Sequence, residues 1–284
     1  MSEDNPRAVL LTGANGGVGL AATHALAERG FRVYAAVRGQ AGELPRHPNV
    51  RVVRLDVTDP VSVADAVEQV RADGVSSLHG LVNNAGIIVQ GPLELVPEEE
   101  LRRQFDVNVF GPAAVTQAFL PLLRAGRGRV VNVTATTARV AGPFFGPISA
   151  SKAALQSLSD AQRLELAHWG MPVVVIELGM IDTPIFAKAA AATAKTAEAQ
   201  TPQQAALYRA QLEAVDAAMA KAKAASPGIV ADAVVKALTA GRPKPRYTVG
   251  PDTRMLGLLA RLPLRTRDRL LARVMGLAKV PLAR

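Results

Sequence analysis

The strongest constraint on the fold is an alternation of short apolar runs with longer segments whose apolar residues recur at helical spacing. Apolar runs occupy residues 7–12, 31–37, 50–55, 78–82, 129–134 and 172–177. Strands that alternate with helices in this way form a parallel sheet with crossover connections. The sequence therefore predicts an α/β fold with three layers, a doubly wound parallel sheet, a seventh strand at 246–249 and one domain over 1–284.

The connecting segments have the apolar periodicity of helices and the residues that begin them. Helices are predicted over 18–29, 60–71, 97–123, 148–169 and 229–239. Asn108 lies inside the longest of these, where asparagine is an indifferent helix former. Its side chain is therefore either tolerated there, used for a hydrogen bond, or associated with a local bend.

The chain is strongly basic, with a formal net charge of +9 and a pI near 10.3. A basic surface can bind nucleic acid through phosphate contacts. However, the arginines are spread along the chain and aromatic residues make up 4% of it. This pattern favours a solvated basic face, and no nucleic-acid partner is predicted.

The residues that build disulfides and metal sites are scarce. The chain has no cysteine and four scattered histidines, so neither a disulfide nor a metal site is predicted. No apolar run has the length of a membrane span, and residues 1–7 are too polar for a signal peptide. We expect a cytoplasmic protein without stable membrane insertion.

A glycine-rich turn follows the first predicted strand and opens the first helix. It reads T-G-A-N-G-G-V-G over residues 12–19, with Gly13, Gly17 and Gly19 as its glycine positions. Glycines allow the backbone to approach a pyrophosphate closely, and the helix behind them offers free N–H groups and a partial positive charge. The position of this turn predicts a dinucleotide site.

Two charged residues follow the next strands at the same edge of the sheet. Arg38 stands where an NAD-binding protein more often has an acid, and it suits the 2′-phosphate of NADP(H), although it could also be a surface arginine. Asp56 could hold the adenine amino group or belong to the cap of the following helix. The sequence therefore predicts NADP(H) in preference to NAD(H).

Together these motifs make the chain resemble the short-chain dehydrogenase/reductase family over about residues 7–250. The resemblance rests on the glycine turn, Asp56, N-N-A-G at 83–86, Asn108 and S-A-S-K ending at Lys152. It implies a Rossmann fold and a homodimer or homotetramer built on the helices of Asn108 and Lys152. The cofactor-binding residues that it implies are Gly13, Asn15, Gly17, Val18, Gly19, Arg38, Asp56, Val57, Asn83, Ala85, Gly86, Lys152, Gly179 and Thr183.

The catalytic frame of that family is incomplete in this sequence. The family has a proton-donating tyrosine four residues before the lysine and a serine thirteen residues before the tyrosine, but these positions hold Ile148 and Ala135. Lys152 and the relay asparagine, Asn108, are kept. Thr134 or Thr136 could replace the hydrogen bond of the serine, so the candidate catalytic residues are Lys152, Asn108, Thr134 and Thr136.

Three functions are compatible with this frame. The first is NADP(H)-dependent reduction of an already electrophilic small molecule, such as an enone, an iminium ion or a quinone methide. A non-redox cyclase, isomerase or dehydratase is the second, and an NADP(H)-sensing regulatory or scaffold protein is the third. Simple ketones should react very slowly, because loss of a general acid costs about 100-fold to 10,000-fold in rate.

The last hundred residues hold two segments outside the alternating pattern. The alanine-rich segment 185–226 is interpreted as a helical substrate lid or, equally, as a solvated helical spacer. Segment 251–284 predicts a pair of basic amphipathic helices. Packing on the same domain or on a second subunit is favoured for them over contact with a membrane surface.

Overall fold

A computed structural model describes residues 7–198 and 200–281 of the chain. Residues 1–6, which enter the argument against a signal peptide, lie outside the described residues, as do 282–284 at the end of the predicted C-terminal helices. The described chain forms a single seven-stranded sheet covered by helices.

The seven strands are all parallel and lie in the order β3-β2-β1-β4-β5-β6-β7. Their bounds are β1 Ala8–Thr12, β2 Arg32–Val37, β3 Val50–Arg54, β4 Gly80–Asn83, β5 Arg129–Ala135, β6 Val173–Leu178 and β7 Arg246–Val249. This order confirms the predicted doubly wound sheet. Its direction of winding reverses between β1 and β4, so the carboxyl ends of these two strands border a crevice that suits a ligand.

Both faces of the sheet are buried, which explains the continuous apolar runs. In β1, Val9 and Leu11 enter one core with helix residues such as Leu26 and Val234, whereas Leu10 enters a second core on the opposite face. Alternate residues of a strand point to opposite faces, so a strand between two helical layers needs apolar residues throughout.

Eleven α-helices are present in the described residues. They are α1 Gly17–Ala27, α2 Pro60–Ala72, α3 Glu98–Phe105, α4 Gly111–Ala125, α5 Gly146–Ala167, α6 Ile185–Ala197, α7 Pro202–Leu207, α8 Arg209–Met219, α9 Gly228–Thr239, α10 Thr253–Leu259 and α11 Leu264–Val274.

The prediction of a single continuous helix over 97–123 is wrong at the middle of that segment. A π-helical turn, Asp106–Phe110, separates α3 from α4. Pro112 lacks the N–H that would bond to the carbonyl of Asn108 in an α-helix, and the N–H of Gly111 bonds to the carbonyl of Asp106, five residues back. Asn108 thus lies in a wider turn whose side chain is free to bond elsewhere.

The two predicted segments outside the alternating pattern are largely helical. Helices α6, α7 and α8 occupy the predicted lid segment, and Thr201 and Gln204 form a capping box at the start of α7. The end of this segment is pinned by Ala225, whose backbone bonds to Met180 and Asp182 just after β6. In the part of the chain that the structure describes, no helix combines the length and apolar character needed to span a membrane.

Candidate active site

The glycine turn after β1 is closed tightly against its surroundings. Gly13 has a φ of 64°, in the left-handed region that favours glycine. A Cβ on Gly13 would lie 2.8 Å from the Cα of Ala85, and one on Gly19 would lie 2.2 Å from the carbonyl oxygen of Gly13. The turn therefore has no room for side chains at these positions, which leaves its backbone accessible to a flat or charged ligand.

The N-N-A-G turn after β4 is fastened to the glycine turn. The hydroxyl of Thr12 accepts hydrogen bonds from the backbone N–H groups of Asn84, at 3.1 Å, and Ala85, at 3.0 Å. The side-chain amide of Asn84 donates to the carbonyls of Thr12 and Gly13 at 3.0 and 3.1 Å. Asn84 was not among the predicted site residues, although its place between Asn83 and Ala85 was a usable signal.

Asn83, in contrast, uses its side chain inside the protein. Its amide donates to the hydroxyl of Thr116 at 3.0 Å and to the side-chain carbonyl of Asn132 at 2.8 Å. The side chain therefore joins β4 to α4 and β5 inside the protein.

The amino end of α1 is open toward the same crevice. No side chain in the described residues caps this end, where Gly17 and Val18 are the first residues of the helix. A Cβ on Gly17 would lie 2.8 Å from the methyl carbon of Thr183, so the turn after β6 stands over the glycine turn. Free N–H groups at a helix amino end suit the phosphates of a dinucleotide.

The region beyond β2 and β3 contains the predicted adenosine-side residues. Arg38 is exposed directly after β2, and the amide of Asn15 donates to the carbonyl of Gln40 at 3.3 Å, which ties the glycine turn to this loop. Asp56 accepts hydrogen bonds from the backbone N–H and hydroxyl of Thr58 at 3.0 and 2.7 Å. Burial raises the pKa of Asp56, but the bonds from Thr58 and the charge of Arg38 lower it overall.

The structure brings Lys152 and Asn108 together beside Gly86. A Cβ on Gly86 would lie 3.3 Å from Oδ1 of Asn108 and 3.5 Å from Nζ of Lys152. Lys152 extends from α5, and its ammonium donates to the carbonyl of Val133 at 2.8 Å. Burial lowers the pKa of Lys152 to about 8, so the charged form is held at an energetic cost.

Asn108 is fixed from two sides by the backbone of Ile87. Its Oδ1 accepts from the N–H of Ile87 at 2.9 Å, and its Nδ2 donates to the carbonyl of Ile87 at 3.0 Å. Nδ2 also lies 3.3 Å from the hydroxyl of Ser151 on α5. The π-helical turn thus orients Asn108 to join the loop after β4, which carries Gly86, to the helix that carries Lys152.

The two apolar replacements lie where the sequence places them. Ile148 precedes Lys152 by one turn of α5 and is 6% exposed, and Ala135 ends β5. Residues four apart on a helix share a face, so the side chain beside Lys152 is a hydrocarbon without a titratable group. The site therefore has a charged cofactor-facing side and an apolar side.

Thr134 and Thr136 are both engaged with the protein. The hydroxyl of Thr134, which is 1% exposed, accepts a hydrogen bond from Gln156 at 3.2 Å. The hydroxyl of Thr136 donates to the carbonyl of Leu178 at 3.2 Å. Of the two, Thr134 faces α5, which carries Gln156.

A buried carboxylate is the centre of a network of ion pairs and hydrogen bonds next to Thr134. Glu177 is fully buried and pairs with Arg139 and with Arg246, the latter at 3.0 Å, while the amide of Gln156 donates to it at 2.7 Å. Sequence reasoning missed this network because its members are far apart in the chain. The available signal was the spacing of Lys152 and Gln156, which are four residues apart and therefore place two polar side chains on one face of α5.

The turn after β6 is held by a residue from the far end of the chain. The carboxylate of Asp252 accepts from the backbone N–H of Met180 at 3.0 Å. A Cβ on Gly179 would lie 1.8 Å from the same carboxylate oxygen. Gly179 therefore allows Asp252 to reach the turn that carries Thr183 toward the cofactor crevice.

Helix α6 covers the loop that follows the N-N-A-G turn. Thr193 donates to the carbonyl of Gln90 at 3.4 Å, and both residues line a shallow surface cleft. Farther along, the hydroxyl of Tyr208 donates to Glu94 at 2.7 Å, and its ring meets that of Phe144 edge-on with centroids 6.2 Å apart. Segment 185–226 therefore contacts the loop that follows the N-N-A-G turn and the loop that carries Phe144.

Within residues 7–198 and 200–281, no three His, Asp or Glu side chains cluster in a way that could hold a metal ion. The groups that the site could present to a ligand are backbone amides, the side chains of one lysine and one asparagine, and an apolar surface. Such a set suits a bound organic cofactor, with phosphates at α1 and a sugar near Lys152.

Known proteins share these features. The short chain dehydrogenase family model matches residues 7–194. A 3-amino-tetrahydro-pyrrolizinone reductase of Xenorhabdus hominickii is 41% identical over 183 residues, a match that covers 64% of this chain and 64% of the relative, less than two thirds of its length. An NADPH-dependent 3-dehydrocapnine reductase of Ornithobacterium rhinotracheale is 34% identical over 88% of this chain and 90% of the relative.

The crystal structure of a short chain dehydrogenase from Burkholderia cenocepacia J2315 in complex with NADP is also similar. It is 29% identical with a TM-score of 0.71, over 95% of this chain and 97% of the other. The match of the family model, the sheet order and the glycine turn agree with one another. The chain belongs to the short-chain dehydrogenase family of oxidoreductases.

Proposed function

We propose that the protein binds NADP(H) and reduces a small organic molecule that is already electrophilic, such as an enone, an iminium ion or a quinone methide. When bound, the reduced nicotinamide supplies the hydride. The proposal rests on a contrast between two parts of the site. The predicted cofactor-binding residues are present, whereas the position one helical turn before Lys152 holds the apolar Ile148.

The binding of NADP(H) is supported by the crevice between β1 and β4. The open amino end of α1 and the closely packed Gly13 and Gly19 suit the pyrophosphate. Lys152 and Asn108 border Gly86, where the ribose next to the nicotinamide would lie in a protein of this family. Arg38 is exposed beside Asn15 and can pair with a 2′-phosphate.

The preference for an electrophilic substrate follows from the missing acid. A ketone needs a proton on its oxygen as the hydride arrives, and neither Ile148 nor Ala135 can donate one. An iminium ion is neutralised by the hydride alone, and a conjugated acceptor carries its charge on a distant atom. Ile148 keeps this side dry, and the hydroxyl of Thr136 remains as a polar group near the turn after β5.

The relatives support reduction of a small molecule. Two of them are named as reductases, one of a 3-amino-tetrahydro-pyrrolizinone and one of 3-dehydrocapnine. A 3-amino-tetrahydro-pyrrolizinone and 3-dehydrocapnine therefore belong in the first substrate panel.

The direct test is incubation of the protein with NADPH and separate ketone, enone and iminium substrates. Nicotinamide absorbance and product mass are followed together. We expect NADPH consumption with enones or iminium ions and very slow turnover of simple ketones. Product without NADPH consumption would identify a non-redox enzyme, binding without any product would favour a sensor, and rapid ketone reduction would refute the role given to Ile148.

A gain-of-function pair sharpens this test. The double variant Ala135→Ser with Ile148→Tyr restores the family's two groups, and we expect ketone reduction to rise by about 100-fold or more. Its matched control is Ala135→Ser with Ile148→Phe, which adds a ring of similar size without the hydroxyl. Equal ketone activity in the two double variants would show that the ring, and not the proton donor, changed the reaction.

The cofactor preference has its own measurement. Titration with NADPH and NADH should give tighter binding of NADPH, and Arg38→Gln should remove most of the difference. Equal affinity of the original protein for the two cofactors would remove the role assigned to Arg38.

We further propose a homodimer or homotetramer built on the helices of Asn108 and Lys152. Phe110 and Leu164 on these helices are 62% and 75% exposed, which suits a helix-to-helix interface. Light scattering should report an oligomer, and Leu164→Glu should shift it toward the monomer. A monomeric original protein would contradict the proposal.

A further inference from the structure

The outer face of α10 carries an exposed apolar stripe. Met255, Leu258 and Leu262 recur at spacings of three and four residues and are 47%, 66% and 36% exposed. Leu264, at the start of α11, is 61% exposed. These four residues are called the outer stripe. Because residues three apart lie on one side of a helix, Met255 and Leu258 share a face of α10. Leu262 follows in the connection between α10 and α11, next to the start of α11 at Leu264.

The outer stripe lies in the most basic part of the chain. The segment 254–279 holds seven cationic residues and one acid, Asp268, which lies near Arg267 at 3.6 Å. The cations are Arg254, Arg261, Arg265, Arg267, Arg269, Arg273 and Lys279. A surface of this charge attracts anionic groups and loses that attraction as salt rises.

The rest of the fold leaves this segment largely uncovered. None of the residues of α11, all of which the structure describes, is buried, and α10 buries Thr253 and Leu259. The expectation that both helices pack on their own domain therefore holds for the inner side of α10, and the outer stripe remains exposed.

Charge decides which partner suits the outer stripe. A second copy docked through the same stripe would bring two sets of seven cations together, which is unfavourable. An anionic lipid surface offers negative headgroups to Arg254, Arg261 and Arg265 and a hydrocarbon layer to the leucines. Basic residues beside exposed apolar side chains are the pattern of a helix that lies in a membrane interface.

The inner side of α10 borders the candidate active site. It packs against the turn Thr136–Ala138, and Asp252 at its amino end holds the N–H of Met180 at 3.0 Å. Leu256 and Gly257 line a small cleft together with Thr136. A partner on the outer stripe would therefore lie one helix away from the substrate side of the site.

We propose that the outer stripe and its cations dock the protein on an anionic membrane surface, with α10 lying in the headgroup layer. This docking is reversible and peripheral. It would bring the site close to lipophilic molecules that partition into the membrane. The docking itself does not depend on which reaction the site performs.

The experiment is sedimentation of the full-length protein with vesicles of phosphatidylcholine alone or mixed with phosphatidylglycerol. We expect binding to the mixed vesicles at low salt, little binding to phosphatidylcholine alone and loss of binding at high salt. Failure to bind the mixed vesicles at low salt would overturn the proposal.

Two variants separate the apolar and charged contributions. Leu258→Gln with Leu264→Gln removes apolar side chains without changing the charge and should lower the partition coefficient by about 10-fold or more. Arg261→Gln with Arg265→Gln keeps the stripe and should lower it by about 30-fold. Val61→Gln, at a residue on α2 that is 67% exposed, is the matched control and should bind as the original protein does.

Circular dichroism and light scattering complete the test. Both double variants should keep the helical spectrum, because the substituted residues are exposed. If the stripe double variant binds mixed vesicles as tightly as the original protein, the stripe is not the docking surface. If that variant instead breaks an oligomer, and the original protein ignores vesicles, the stripe is an interface between copies and the membrane proposal is wrong.

Discussion

Replacing Lys152 with methionine should stabilise the protein at neutral pH, although it removes a group of the candidate active site. The Lys152 ammonium is buried, and its single protein partner in the described structure is the carbonyl of Val133 at 2.8 Å. Burial lowers its pKa from 10.5 to about 8. At 1.36 kcal/mol for each pKa unit, keeping the charge buried costs about 3 kcal/mol.

The net gain is smaller because the hydrogen bond to Val133 is lost as well. A bond that involves a charged group contributes about 1.5 to 3 kcal/mol, so Lys152→Met should raise the free energy of unfolding by about 1 kcal/mol. Methionine is a suitable replacement because it is unbranched, of similar length and flexible enough to fill the channel left by the lysine stem.

The stability difference between the methionine variant and the original protein should depend on pH. Since the pKa is lower in the folded protein, the unfolded chain binds more protons between about pH 8 and about pH 10.5. The cost is therefore fully present below about pH 8 and is relieved as the pH rises toward 10. The advantage of the methionine variant should be largest at neutral pH and should shrink across this interval.

Urea unfolding of both proteins at pH 7 and at intervals up to pH 10 measures the effect. Lys236→Met is the control, since Lys236 is exposed on α9, and its effect on stability should change little with pH below 10. A methionine variant at position 152 that is less stable at neutral pH, or whose stability difference is independent of pH, would refute the reasoning. Cofactor titration of the same variant should show weaker NADPH binding if Lys152 holds the ribose.

The remaining predictions concern residues behind the site. Gly179→Ala should cost about 1 to 3 kcal/mol of stability because its Cβ would meet Asp252; adding Asp252→Ala should recover part of that loss in a denaturant titration, and simple additivity would contradict the contact. Glu177→Gln should cost about 2 kcal/mol by the same assay, since it removes the charge that pairs with two arginines; no change would show that those arginines are satisfied by water. Burial lowers the pKa of His79, so stability should fall as the pH drops below about 6.5; in His79→Gln this acid-dependent loss should be reduced, and an identical pH profile would exclude His79 as its source.

The sheet was predictable because both of its faces are buried. Strands such as β1 and β6 must be apolar along most of their length, and the helices between them must have one apolar side. The alternation of strands and helices is therefore visible as a pattern of apolar residues in the sequence. The glycine turn was predictable for a similar reason, since Gly13 and Gly19 occupy positions that no larger residue could fill.

The network of contacts that supports the site was not predictable, because these contacts join distant parts of the chain. Glu177 meets Arg139 and Arg246, and Asp252 reaches Met180, across separations of 38 to 72 residues. Local periodicity has no information about such pairs. The same limit applies to Thr134, whose hydroxyl is turned toward Gln156 by the pleat of β5.

The π-helical turn at Asp106–Phe110 makes the length of this segment as important as its composition. It acts as one extra residue in an otherwise regular helix. Deleting one residue there would restore ordinary winding and keep the faces of α3 and α4 in phase, but it would remove the wider turn. Phe119 would stay in the core, whereas Asn108 would lose its place beside Ile87. A chimera or an inserted tag in this segment must therefore conserve the residue count, whereas conservative changes of side chain on the outer surface are far safer.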